Sequence, residues 1–131
     1  MKSACLETHS LVWYLSRPKR LRRSALRCLR EADAGRVRIL IPAAVLVELV
    51  LLEEAGRNVI GPAQVEALMS ARPNFEVLAM DLRQALELTL LRALKDPFDR
   101  MIVSAARVAG VPLISADERI EASGLVETLW S

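Results

Sequence analysis

The segment DPFDRMIVSAARVAGVPLISADE, residues 96–118, contains the pattern that decides the fold. Asp96 and Pro97 are typical of the start of a helix, and Gly110 is typical of its end. The apolar residues between them recur at helical spacing, which predicts a helix over 96–108. The short apolar run 111–114 then predicts a strand. A helix followed at once by a buried strand indicates an α/β unit.

The rest of the chain repeats this alternation of short apolar runs and helical patterns. It contains no internal repeat and no low-complexity tract. The sequence therefore predicts an α/β fold with a central parallel sheet of about five strands. The other strands are expected at 2–6, 37–41, 75–79 and 125–129, and the other helices at 18–34, 42–54, 62–70 and 81–94. In the helix at 81–94 we expect a buried side formed by Leu82, Ala85, Leu86, Leu90 and Ala93.

Length and composition suit one soluble domain. The chain has 131 residues, of which 53% are hydrophobic and 26% charged, so we expect a single domain over 1–131 with a full core. The longest apolar stretch, around 39–52, is interrupted by Glu48, and even if that charge is ignored it is shorter than the roughly 20 residues that span a bilayer. No apolar signal segment begins the chain. We therefore expect a cytoplasmic protein without membrane association. One histidine and two cysteines, at no ligand-like spacing, make a structural zinc site improbable and predict reduced cysteines.

Basic residues are concentrated between positions 17 and 30, where seven occur and no acid does. The net charge is only +2, so this concentration matters more than the total. Arginine presents a planar fork that suits phosphate or carboxylate. The segment is interpreted either as a contact for RNA or an acidic protein partner, or as an ordinary solvated helix face. The candidate contact residues are Arg20, Arg22, Arg23 and Arg27.

Glu48 is the most informative acid, because it is the only charge between 39 and 52. A helix so apolar all round should be largely buried, and an isolated buried carboxylate costs several kcal/mol. We therefore expect a cation, a metal ion or a wet cleft beside Glu48. A salt bridge to an arginine is the plain structural alternative.

Three more acids lie where a parallel sheet places its site, beyond the carboxyl ends of its strands. Glu7 follows the first strand, and Asp117 follows the strand at 111–114. Asp99 stands at the third position of the helix at 96–108, at the edge of its buried face. Capping explains Asp96 well and Asp99 less completely. A capping box beginning at Ser115 gives Ser115 a structural explanation too.

A cluster of carboxylates is chemically suited to divalent metal. Oxygen ligands favour hard cations such as Mg²⁺ or Mn²⁺, which activate water and neutralise charge on a phosphate. Without metal such a cluster would repel a phosphodiester. The chain has no P-loop pattern, which argues against nucleotide hydrolysis by that route. It has no nucleophile-elbow pattern, which argues against a serine triad. Acids at the centre and arginines at the rim together favour a nuclease.

Ordered blocks of sequence resemble the PIN domains, and among them the VapC-type toxins of prokaryotic toxin–antitoxin pairs. The blocks are LETHSLVW (6–13), the helix with Glu48, DPFDRMIV (96–103) and LISADE (113–118). The resemblance covers essentially the whole chain, including its final Leu-Trp. It implies a three-layer α/β/α PIN fold around the parallel sheet.

The resemblance also implies a Mg²⁺- or Mn²⁺-dependent endoribonuclease acting on structured RNA such as tRNA or rRNA. It implies a homodimer and a cognate VapB-like antitoxin that enters the acidic site. By motif, the residues that hold metal and act in catalysis are Glu7, Glu48, Asp99 and Asp117. The supporting residues are Thr8, Asp96 and Ser115.

Glu7 departs from the family pattern, in which the first acid is normally Asp. Glutamate keeps the charge but adds a methylene, and metal-site geometry tolerates little displacement. The sequence leaves three outcomes open: the site adjusts, the enzyme is weakened, or a module remains that binds RNA or antitoxin without cutting.

Overall fold

The computed structural model describes residues 1–57 and 60–131. Its sheet contains five parallel strands, as the sequence predicts, and, numbered along the chain, they lie side by side in the order 3-2-1-4-5. Consecutive residues of the inner strands are buried, for example Ala4, Cys5 and Leu6 on one strand, so both faces of the sheet are covered. The three-layer α/β/α fold is confirmed. The strands are β1 (Lys2–Leu6), β2 (Val37–Pro42), β3 (Phe75–Leu78), β4 (Leu113–Ile114) and β5 (Thr128–Leu129).

Helices connect these strands. Within the described residues, no helix is long and apolar enough to cross a membrane. Both cysteines are free, Cys5 in the core and Cys28 half-buried. The helices are α1 (Thr8–Ser16), α2 (Arg23–Asp33), α3 (Ala43–Glu54), α4 (Pro62–Ala71), α5 (Leu82–Glu87), α6 (Pro97–Ala109) and α7 (Glu118–Ser123), with 3-10 turns at Pro18–Arg20 and Leu88–Leu90.

The strand order creates one place suited to a site. From β1 the chain first builds outward through β2 to β3, and it then returns to place β4 on the other side of β1. A crevice opens beyond the carboxyl ends of neighbouring strands where the chain reverses in this way. Leu6 pairs with Ile114 at the ends of β1 and β4, so the next residues, Glu7 and Ser115, stand at the edge of the crevice.

The predicted helix over 18–34 is too long. Pro18–Arg20 forms a separate 3-10 turn, and Leu21 and Arg22 are extended before α2 begins at Arg23. Two other helices, α1 and α7, were not predicted. The polar start of α1 conceals its helical pattern, and α7 has only six residues.

The prediction for residues 81–94 is wrong in both length and orientation. Helix α5 ends at Glu87, and the carbonyl of Leu88 accepts a hydrogen bond from Arg100 Nη2 at 2.7 Å. The expected buried leucines Leu82, Leu86 and Leu90 are 72%, 61% and 63% exposed, and Ala85 and Ala93 are exposed as well. The opposite side carries the buried Gln84, whose amide donates to the carbonyl of Ala79. Helical spacing identified the stripe but not the side that faces the core.

Asp96 has a clear structural role, which yields a first prediction. Its Oδ1 accepts hydrogen bonds from the backbone N–H groups of Phe98 and Asp99 at 2.8 and 3.1 Å, at the start of α6. Asp96→Ala leaves both donors without this acceptor and should lower the free energy of unfolding by about 1 kcal/mol. Asp96→Asn should lower it much less. Urea unfolding measures both, with exposed Lys95→Ala as the neighbouring control. An Asp96→Ala protein of unchanged stability would contradict the capping role.

Candidate active site

Glu7 follows β1 directly and caps helix α1. Its side chain is buried, and its Oε1 accepts hydrogen bonds from the backbone N–H and the hydroxyl of Ser10 at 3.2 and 3.1 Å. The other oxygen, Oε2, lies 3.8 Å from Nδ1 of the half-exposed His9. The longer side chain of glutamate can thus turn back onto the first turn of α1. One of its oxygens is engaged there, and the second faces His9.

Glu48 lies on α3, half-buried, and its charge is met by a hydroxyl. Thr8 Oγ1 donates to Glu48 Oε1 at 2.5 Å, which joins the start of α1 to the middle of α3. Thr8 itself is completely buried. The expectation that α3 is largely buried is wrong, since Val47 and Leu51 are about half exposed. The hydroxyl of Thr8 therefore provides a compensating hydrogen bond to the Glu48 carboxylate.

Asp99 lies in the first turn of α6, two residues after Pro97, and is half-buried. Burial first, and then the nearby charges of Asp96, Asp117 and Glu7 in that order, together raise the pKa of its carboxyl to about 6. Arg119 opposes this shift. Asp99 is therefore held where other carboxylates repel its charge, which shows that acids from separate elements approach one another here.

Asp117 caps α7, the helix that follows β4. Its Oδ1 accepts hydrogen bonds from the N–H groups of Arg119 and Ile120 at 2.8 and 3.2 Å. Ser115 does not cap the helix, as the capping-box interpretation required; its hydroxyl instead accepts from the N–H of Asp117 at 3.1 Å. Ser115 thereby fixes the turn between the end of β4 and Asp117. The second carboxylate oxygen, Oδ2, remains outside the cap and lies 3.6 Å from Arg119 Nη2.

His9 and Arg119 are two features of the site that sequence reasoning did not include among the site residues. The pKa of His9 is raised, first by its hydrogen bond to Glu7 and further by the charges of Glu7, Glu48 and Asp99, against the lowering effect of burial. Arg119 lines a pocket of about 390 Å³ together with Asp96, Asp99 and Lys95. The position of Arg119 two residues after Asp117 was the available signal. Arg119 thus places a cation beside the acids, and the raised pKa of His9 favours its protonated form.

The donor chemistry of this site suits a hard divalent cation. Carboxylate oxygens are the ligands that Mg²⁺ and Mn²⁺ prefer, and the mutual repulsion at Asp99 is relieved by a cation. In residues 1–57 and 60–131, however, no group of three or more His, Cys, Asp and Glu side chains is arranged to hold a metal ion. Mg²⁺ usually keeps several waters and takes one or two carboxylates. The residues therefore fit a water-rich Mg²⁺ site, while a cage of four protein ligands remains a prediction.

The predicted arginine contacts are exposed and lie on one stretch of chain. Arg20, Arg22 and Arg23 line a common pocket with Lys19. Arg27 lies one turn farther along α2 and is not among the residues that line this pocket. The structure thus gathers three of the four predicted residues in one place.

Comparison with solved structures identifies proteins of the same fold at low sequence identity. VapBC2 from Rickettsia felis, bound to a DNA fragment from its promoter, matches with a TM-score of 0.71 at 16% identity, over 98% of this chain and 99% of that chain. DNA-bound VapBC from Salmonella typhimurium matches with a TM-score of 0.68 at 18% identity, over 98% and 97%. FitAcB from Neisseria gonorrhoeae matches with a TM-score of 0.61 at 16% identity, over 95% of each chain.

Comparison with curated protein sequences gives no significant match. The PIN domain family model, in contrast, matches residues 4–124, which include all four predicted acids and the ends of both strands that border the crevice. The chain belongs to the PIN domain family.

Proposed function

We propose that this chain is a VapC-type toxin, a metal-dependent endoribonuclease that cuts structured RNA such as tRNA or rRNA. The observation that carries the proposal is the position of Asp99. In a PIN domain, at the crevice between β1 and β4, its carboxyl is half-buried and under the charge of three other acids. Without a cation, such an arrangement destabilises the protein. It suits a protein that binds Mg²⁺ or Mn²⁺.

Each acid has a defined role in this proposal. Glu7, Glu48, Asp99 and Asp117 would hold the metal ion and form the catalytic site. Mg²⁺ or Mn²⁺, when bound, would lower the pKa of a water and neutralise charge on the scissile phosphate. Thr8 holds the Glu48 carboxylate by its hydroxyl, and Ser10 holds that of Glu7. Ser115 and Asp96 fix the backbone that carries Asp117 and Asp99.

We also propose a VapB-like antitoxin and a homodimer as partners of this single 1–131 domain. Similar solved structures are VapBC and FitAcB complexes, which supports a partner of the VapB type. The exposed Leu82, Leu86 and Leu90 recur every four residues through α5 and the following 3-10 turn, and Val47 and Leu51 are exposed on α3. Exposed apolar groups in such number support a covering partner.

The engagement of Glu7 favours a second candidate function. Because Glu7 Oε1 accepts two hydrogen bonds from Ser10, less of this carboxylate is free for a metal ion. A PIN module with an impaired first acid would bind RNA or antitoxin without cleavage. The two candidates differ in whether the present sequence, or only its Glu7→Asp variant, cuts RNA.

The first functional prediction concerns cleavage. Total RNA incubated with the purified chain and Mg²⁺ or Mn²⁺ should yield discrete fragments, and EDTA should abolish them. Glu48→Gln and Asp99→Asn should each reduce the rate at least about 100-fold. Each substitution removes a negative charge that helps to hold the cation that neutralises the phosphate. Glu54→Gln, an exposed acid at the end of the same helix as Glu48, is the matched control and should retain the full rate.

The Glu7→Asp variant distinguishes the two candidates. Cleavage by the present sequence means that Glu7 serves in the site. Cleavage that begins only with Glu7→Asp supports the binding-only module. If neither sequence cuts RNA at any concentration of Mg²⁺ or Mn²⁺, the nuclease proposal is wrong.

A separate prediction concerns the pH dependence of the free energy of unfolding. The pKa of Asp99 in the folded protein lies above its usual value of 3.8, so the folded state binds the proton more tightly than the unfolded state does. The stabilisation from this group is present below about pH 4 and is lost as the pH rises through about 6. Asp99→Asn cannot ionise, so its gain in unfolding free energy over the parent should be larger at pH 7.5 than at pH 4.

The expected difference is about 1 kcal/mol, since the half-exposed carboxyl is partly screened by solvent. Urea unfolding in EDTA measures it. Adding Mg²⁺ at pH 7.5 should stabilise the parent more than Asp99→Asn, because the cation relieves the repulsion. An Asn variant with the same relative stability at both pH values would show that burial and the neighbouring acids do not raise the pKa of Asp99 in the folded protein.

A further inference from the structure

A basic aromatic pocket lies beside the acidic crevice and has no part in the function proposed so far. It has a volume of about 550 Å³, within the size range of ligand sites. Both tryptophans of the chain contribute to it. It is lined by Trp13, Lys19, Arg20, Leu21, Arg22, Arg23 and Trp130.

The charge of the pocket has one sign. Lys19, Arg20, Arg22 and Arg23 line it, and no acidic residue does. All four are exposed, and the described ion pairs do not include any of them. Four cations without a partner acid on one small surface attract a polyanion, and three of them are arginines, whose forked geometry suits phosphate.

The aromatic part of the pocket provides a stacking surface. The ring centroids of Trp13 and Trp130 lie 5.7 Å apart with a tilt of 48°, and both side chains are half-buried against the core. The guanidinium carbon of Arg20 lies 5.4 Å from the centroid of Trp13, a cation–π contact. A base stacked on such a platform gains roughly 1–3 kcal/mol by comparison with alanine variants.

The backbone holds this platform in place. The carbonyl of Trp130 accepts hydrogen bonds from the N–H groups of Ser24 and Ala25 at 3.1 and 3.3 Å, and the Ser24 hydroxyl donates to the carbonyl of Ser131 at 2.5 Å. The end of the chain is thereby fixed against the start of α2. The extended Leu21 and Arg22, which interrupt the predicted long helix, turn the basic residues toward the tryptophans.

The pocket and the acids lie along the same helix. Glu7 caps α1, His9 stands in its first turn, and Trp13 follows one turn later, with 6.0 Å between the rings of His9 and Trp13. Six residues of helix from Glu7 to Trp13 rise roughly 9 Å. That span corresponds to about three stacked nucleotides at roughly 3.4 Å each. A strand with its phosphate at the acids can therefore reach the tryptophans with a base a few nucleotides away.

We propose that this pocket binds an unpaired RNA base against Trp13 and Trp130, with its flanking phosphates on Lys19, Arg20, Arg22 and Arg23. The inference rests on the proposed nuclease function for the identity of its ligand. It adds that the substrate is single-stranded beside the cut, because a base within a duplex cannot stack on a side chain. Of the two partners that the basic segment allows, the aromatic platform favours RNA, since an acidic peptide needs only the cations.

Binding without cleavage tests the pocket. In EDTA, an eight-nucleotide oligouridylate should quench the tryptophan fluorescence of the full chain, because both tryptophans line the pocket. By fluorescence anisotropy of the labelled oligonucleotide, Trp13→Leu should weaken binding about tenfold. Arg20→Ala should weaken it and lower the slope of log K against log salt by about 0.7. The exposed Arg83→Ala, on α5, is the charge-matched control and should change neither the quenching nor the Trp13-dependent stacking.

Several results would overturn the proposal. These are the absence of quenching, unchanged affinity in folded Arg20→Ala, and equal affinity for an RNA duplex. Circular dichroism tests whether Trp13→Leu is folded. If that variant is unfolded, Arg20→Ala alone tests the pocket. A polyglutamate peptide that quenches at lower concentration than the oligonucleotide would assign the pocket to an acidic protein instead. If the chain binds the oligonucleotide but cuts no RNA, the proposal for the pocket stands and the proposed nuclease function is wrong.

Discussion

Parallel pairing between β1 and β4 is the interaction on which the site depends. It sets the last residues of both strands side by side, Leu6 opposite Ile114, and it brings together acids that lie more than a hundred positions apart in sequence. Three helices then begin near this edge, each behind an acidic cap: Glu7 for α1, Asp96 for α6 and Asp117 for α7. Helix N-termini carry partial positive charge, which offsets part of the repulsion among these carboxylates. The fold can therefore assemble an acidic crevice in which Asp99, which caps no helix, is the acid whose charge is most disfavoured.

The change from Asp to Glu at position 7 is best understood within this arrangement. A carboxylate that both caps a helix and faces a crevice must divide its two oxygens between the tasks. The extra methylene of Glu7 places Oε1 on Ser10, whose hydroxyl and N–H both donate to it, and leaves Oε2 toward His9. His9, whose pKa is raised by the same acids, is thus a charge partner for the crevice. The substitution changes how far the first acid extends from the end of β1, while the charge remains.

The sequence was sufficient for the parts of the fold that depend on local pattern. The five strands, the position of Asp99 in its helix and the capping by Asp96 follow from apolar runs, spacing and the Asp-Pro pair, and all agree with the structure. The side of α5 that faces the core could not be found in this way. Spacing gives a stripe, and the apolar stripe of Leu82 and Leu86 is the exposed one, because tertiary packing placed Gln84 inward. The grouping of the acids likewise depends on the strand order, which local pattern does not give; the PIN resemblance supplied the four acids only by motif.

The acidic crevice and the basic aromatic pocket carry opposite charge and lie next to each other. The chain is nearly neutral overall, with a net charge of +2, yet it holds acids at the crevice and unpaired cations at the tryptophans. These two regions lie along one short helix, α1, whose N-terminus carries Glu7 and whose later turn carries Trp13. A polyanion is repelled by the first region unless a cation is present and is attracted by the second in any case. In the proposed function, affinity and chemistry would therefore be physically separable: the basic pocket would hold a strand before metal arrives, and the acids would act only on a strand already held.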